Sequence, residues 1–93
     1  MDTSEARELL RNHMERWRTR SYREFADQIG ETERLEVSGA LEAQYQVTVQ
    51  VFWDSKPHAD VRVVGLIDDG GWRALRPLSD SFILAPDGSF VGE

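Results

Sequence analysis

A chain of 93 residues, 40% hydrophobic and 30% charged, has the size of one domain: too small for two cores and too apolar for disorder. The absence of cysteine excludes disulfides, thiolate nucleophiles and Cys-based metal centres. A net charge of −6 argues against a phosphate-binding surface, and no apolar run approaches the roughly 20 residues of a membrane span.

Asp2 followed by Glu5 makes a capping-box pattern, the Glu5 side chain reaching back to the start of a helix. Ala6, Leu9, Leu10, His13, Met14 and Trp17 then recur at three- and four-residue spacing as one stripe, which predicts an amphipathic helix. Ser21 and Glu24 repeat the capping pattern and predict a short second helix from Tyr22 to about Ile29, with Phe25 and Ile29 inward and Gly30 as its stop. Arg34 to Val37 reads as a short strand. Tyr45, Val47, Val49, Val51 and Trp53 alternate with Gln44, Gln46, Thr48 and Gln50, the signature of a long half-buried strand. A loop at Ser55–His58 leads to a second strand, Val61 to Asp68, and Asp69-Gly70 predicts a tight hairpin with Trp72 to Arg76 returning antiparallel. Pro77 breaks that ladder, Phe82 to Ala85 forms a further strand, and Pro86-Asp87-Gly88 turns the chain so that Phe90 and Val91 close a last hairpin. Helices first and strands after imply one α+β domain over residues 1–93, with two helices on a curved antiparallel sheet of four to six strands.

Charge is unevenly placed. Residues 1–30 balance six Arg against six acids, whereas residues 31–93 hold five basic groups against eleven acidic ones. No nucleic acid or membrane partner is expected, and the charged start from Asp2 in place of an apolar leader reads as a soluble, cytoplasmic protein. Arg16, Arg18, Arg20 and Arg23 form the one basic cluster, whose simplest role is to face helix-end carbonyls.

The segment Trp17, Arg18, Ser21, Tyr22, Phe25, Ile29, Gly30, the strand Tyr45 to Trp53 and the hairpin Pro86, Asp87, Gly88, Phe90 together resemble the cystatin-like architecture. Within it, they resemble a small member of the nuclear transport factor 2-like superfamily, over nearly the whole chain. Members of that superfamily include steroid isomerases, polyketide cyclases, dehydratases, transport factors and many small bacterial proteins, so the resemblance implies a fold and no single activity. The span Glu31 to Glu42 leaves little room for the extra helix that helps close the pocket in enzymatic members. No position matches the isomerases' catalytic Asp or their paired Tyr and Asp. A shallow or open cavity is implied.

His13 lies on the apolar stripe, where an imidazole could act as general base or simply pack with a hydrogen bond. Trp17, Tyr45, Trp53 and Trp72 are candidate walls of a small apolar ligand site between helix and sheet, or else core. Phe52, Val64, Leu66 and Leu75 fall out of phase with the inner row and are expected on the opposite sheet face, as a homodimer interface. Asp54, His58 and Asp60 share a loop but match no metal motif, Asp68 and Asp69 belong to turn chemistry, and Gly70 and Gly71 serve the same turn, so no metal or cofactor is expected. The reading that follows is a non-enzymatic domain, homodimeric through its sheet, with a small apolar ligand beside Trp17. Its alternative is an isomerase, cyclase or dehydratase in which His13 removes a proton and Tyr45 or an indole steadies the oxyanion. A third reading is a regulatory module that binds a basic partner through the acidic strand region.

Overall fold

The computed structural model of the protein describes residues 1–71 and 76–93. Two helices, α1 (Thr3–Trp17) and α2 (Tyr22–Asp27), precede strands β1 (Thr32–Ser38), β2 (Gln44–Trp53), β3 (Val61–Asp68) and β4 (Leu78–Leu84), with a 3₁₀ turn at Ala40–Glu42. The four strands form one antiparallel sheet in chain order, β1-β2-β3-β4. The fold is therefore α+β, and no helix among the described residues is long and apolar enough to cross a membrane.

The stripe of α1 lands on the inner sheet face as its spacing requires. Ala6, Leu10, Met14 and Trp17 are buried against Tyr45, Val47, Val49 and Val51 of β2, Val61, Val63 and Ile67 of β3, and Leu78, Phe82 and Leu84 of β4. Gly65 makes this close approach sterically feasible: a Cβ there would stand 2.5 Å from Met14 Sδ and 3.0 Å from Leu10 Cδ1. Phe25 of α2, fully buried, stacks at 6.2 Å on Trp17 and meets Phe82 edge-on at 5.8 Å.

Several expected boundaries shift. At the start of α1, Asp2 accepts from the Glu5 N–H at 3.0 Å, but the Glu5 carboxylate does not reach back; it turns across the domain to Tyr45 and Ala40. The complete capping box belongs to α2, where Ser21 and Glu24 bond reciprocally at 3.2 Å. That helix ends at Asp27, because the Gln28 N–H bonds back three residues to the Phe25 carbonyl and the Glu31 N–H to the Gln28 carbonyl, tightening the last turn. β1 is longer than Arg34 to Val37, since all seven residues pair with β2 from Thr32↔Gln50 to Ser38↔Gln44. The last hairpin shrinks to a single bridge, Leu84↔Phe90, framed by two bonds, from the Val91 N–H to the Ile83 carbonyl and from the Ala85 N–H to the Ser89 carbonyl. Of the strand expected at Trp72 to Arg76, residues 72–75 lie outside the described residues, and four strands are present among the rest.

Candidate functional site

Trp17 anchors the helix and sheet seam. Its indole is 4% exposed, carries the Arg20 guanidinium 3.6 Å above the ring centroid, and donates from Nε1 to His13 Nε2 at 3.1 Å. The four-residue spacing on one helix face makes this bond available. An indole N–H only donates, so His13 Nε2 is the acceptor nitrogen and the imidazole is neutral. Burial depresses the His13 pKa most, Arg16 and Arg20 lower it further, and the Glu33 carboxylate, 3.8 Å away, works in the opposite direction. The void beside Trp17, lined by Gln28, Glu31, Glu33, Val49 and Val51 among others, is about 60 Å³. That holds a water or two, while drug-sized ligands occupy roughly 300 Å³ or more.

At the far end of α1 Glu5 ties three elements together. Tyr45 Oη donates to Glu5 Oε1 at 2.7 Å, and the Ala40 N–H donates to Oε2 at 2.9 Å. Gly39 lies so close beneath this bridge that a Cβ would be 2.6 Å from the Tyr45 ring. Acceptance by the carboxylate, together with burial, holds the Tyr45 phenol in its protonated form and pushes its pKa up to about 12. An open depression of about 410 Å³ lies over the bridge, lined by Asp2, Ala43, Gln44 and Asp69 and by Leu41, which is fully exposed in a left-handed conformation at φ 53.

The expected ligand wall is therefore divided. Trp17 and Tyr45 are held at different ends of α1, through His13 and Glu5, which lie about 12 Å apart along the helix axis. Trp53 is half-buried at the other end of β2 with its ring 5.3 Å from His58, and Trp72 lies outside the described residues. The proposed base and oxyanion donor separate in the same way, since His13 belongs to the Trp17 end and Tyr45 is committed to Glu5. The Asp54 carboxylate is likewise occupied, accepting from Arg62 Nε and Nη2 at 2.8 and 2.7 Å. Among the described residues no three His, Asp or Glu side chains gather as a metal site. Asp68 and Asp69 accept from the Gly70 and Gly71 N–H groups at 2.8 and 3.1 Å, and the latter bond lowers the Asp69 pKa. Of the basic cluster, Arg18 grips the Glu93 carboxylate by two bonds of 2.7 Å and lies over Phe82 and Phe90, while Arg20 covers Trp17.

The outer sheet face remains without a covering element among the described residues. Phe52 is 38% exposed, and the β2, β3 and β4 register places Val64 between Gln50 and Ser81, Leu66 between Thr48 and Ser79, and Arg62 between Phe52 and Ile83. Phe52, Val64 and Leu66 thus share one face as their phase requires, and Leu75 lies outside the described residues. Ile83 joins them, a member the sequence reading passed over; its place between the inward Phe82 and Leu84 was the available signal. Comparison with protein families, curated proteins and solved structures finds no match to this chain.

Proposed function

We propose that the chain is a non-enzymatic interaction domain that pairs with a second copy through the outer face of its sheet. The observation that carries this reading is the apolar group Phe52, Val64, Leu66 and Ile83 on the sheet face opposite α1. Phe52 is 38% exposed and Val64, Leu66 and Ile83 are half-buried, so each gains on association only part of the about 1.5–3 kcal/mol that full burial of such a side chain is worth; closed two-fold pairs are the commonest outcome for such a face. The order of helix, short helix and four-stranded antiparallel meander supports the cystatin-like, nuclear transport factor 2-like reading of the scaffold. Against an enzyme of isomerase type stand the mutual bond of His13 and Trp17 and the commitment of Tyr45 to Glu5. A small apolar ligand in the seam is not part of the proposal, because the void there is about 60 Å³.

Sedimentation velocity at about 50 µM tests it, a concentration at which a micromolar self-association is visible. The wild-type chain is expected to sediment above the 10.7 kDa of one copy, and Leu66→Lys to lower the particle mass. A one-copy particle for the wild type, or an unchanged mass for the variant, would overturn the outer-face reading.

A further inference from the structure

β1 is paired on one side by β2, and among the described residues no strand lies on its other side. The bonds that frame the ladder fix which backbone groups turn outward. Val51 N–H reaches the Glu31 carbonyl at 3.4 Å and Gly39 N–H reaches the Ala43 carbonyl at 2.8 Å, so the amides and carbonyls of odd-numbered Glu33, Leu35 and Val37 point to β2. Those of Thr32, Arg34, Glu36 and Ser38 point away from the sheet.

We propose that this free edge pairs antiparallel with β1 of a second copy, about a two-fold axis through Leu35. Only residues with outward backbone groups can exchange hydrogen bonds, which restricts the registers. In the register centred on Leu35, Arg34 faces the partner's Glu36, Glu36 faces the partner's Arg34, and Thr32 faces the partner's Ser38. The neighbouring permitted registers set Arg34 against the partner's Arg34 or Glu36 against the partner's Glu36, like charges directly opposite one another. Charged edges ordinarily reject chance pairing. Here the opposite signs of Arg34 and Glu36 reject the slipped registers and accept one, so this outward row is complementary to itself.

The inner side of the same edge fits this occupant. A groove of about 350 Å³ runs between α1 and β1, lined by Leu9, His13, Arg16, Leu35 and Val37 among others. Leu35 would lie against the partner's Leu35 at its mouth, on the face where α1 sits. The edge contact is separate from the outer-face contact and does not rest on it. Its axis runs perpendicular to the sheet, and stacking through the outer face leaves the edge free, so both can form in one particle.

Charge reversal tests the register. Arg34→Glu, Glu36→Arg and the combined swap are made in the wild-type chain and again in the Leu66→Lys chain, which isolates the edge contact. Both sites are exposed, so melting temperatures measured well below the dissociation constant, where single copies prevail, should not move. In the Leu66→Lys chain at about 100 µM a two-copy particle is expected, each single reversal should raise its dissociation constant about tenfold or more, and the swap should restore it. A one-copy particle in the Leu66→Lys chain, single reversals without effect, or a swap that fails to restore pairing would each overturn the edge proposal. The outer-face reading is judged apart, by whether Leu66→Lys lowers the mass of the wild-type particle.

Discussion

Replacing Gly65 by alanine places one methyl group where α1 meets the centre of the sheet. That carbon would stand 2.5 Å from Met14 Sδ, 3.0 Å from Leu10 Cδ1 and 3.2 Å from Met14 Cγ, against an ordinary separation of about 3.5–4 Å. Leu10 and Met14 are 2% and 1% exposed, so neither can swing into solvent, and relief requires the helix to lift or Met14 to change rotamer. Overpacking of this kind costs about 1–3 kcal/mol, and the lower unfolded-state entropy of alanine offsets roughly 0.5–1 kcal/mol. Gly65→Ala should therefore destabilise by about 1–2 kcal/mol, lowering the melting temperature by roughly 5–15 °C for a domain of this size. Urea unfolding followed by circular dichroism measures it. In a Met14→Ala background the sulfur is gone, and the same substitution should become neutral or stabilising. An unchanged stability for Gly65→Ala, or an equal loss in both backgrounds, would refute the close-packing argument.

Glu5→Ala removes the charged acceptor of the part-buried Tyr45 hydroxyl and of the exposed Ala40 N–H, so a loss of about 1–2 kcal/mol is expected in the unfolding free energy measured with denaturant. The same variant should move the late phenol transition, seen by ultraviolet absorbance, from about 12 back toward the ordinary tyrosine value. In the wild-type chain the raised phenol pKa stabilises the fold below pH ~10, and that contribution is lost as pH rises through about 12. His13 has the opposite sign. Its depressed folded pKa means the unfolded chain binds the proton first, so stability is full above 6.5 and falls as pH drops below it, and His13→Gln should flatten that slope in unfolding curves. Leu41→Asn removes a fully exposed leucine from a left-handed residue at φ 53 and should gain about 0.5–1 kcal/mol by thermal melting.

What could be read in the chain follows from how local the cause is. The α1 stripe and the Tyr45 to Trp53 alternation are set by burial of one face, which writes its period directly into the residues. β1 was half visible, because an exposed edge strand rich in charge carries little hydrophobic period and its length is fixed by pairing with β2. The Glu5 bridge joins residues 35 and 40 positions apart, and the local capping pattern at Asp2 pointed elsewhere. Similarly, Gly65 looked like an ordinary strand residue, since its function depends on a helix some fifty positions earlier. Trp17 and Tyr45 are held apart because periodicity fixes a face without fixing position along it: they share the interior but lie at opposite ends of α1.

Pairing through the outer sheet face can be observed without any substitution. An equal mixture of isotope-labelled and unlabelled chain, examined by isotope-filtered nuclear Overhauser spectroscopy, reports only contacts between copies. Cross-copy signals from the Val64 and Leu66 methyl groups to Phe52 or Ile83 are the expected result. A sample in which copies associate but these methyl groups show no contact across the pair, or in which no cross-copy signal exists at all, would contradict it.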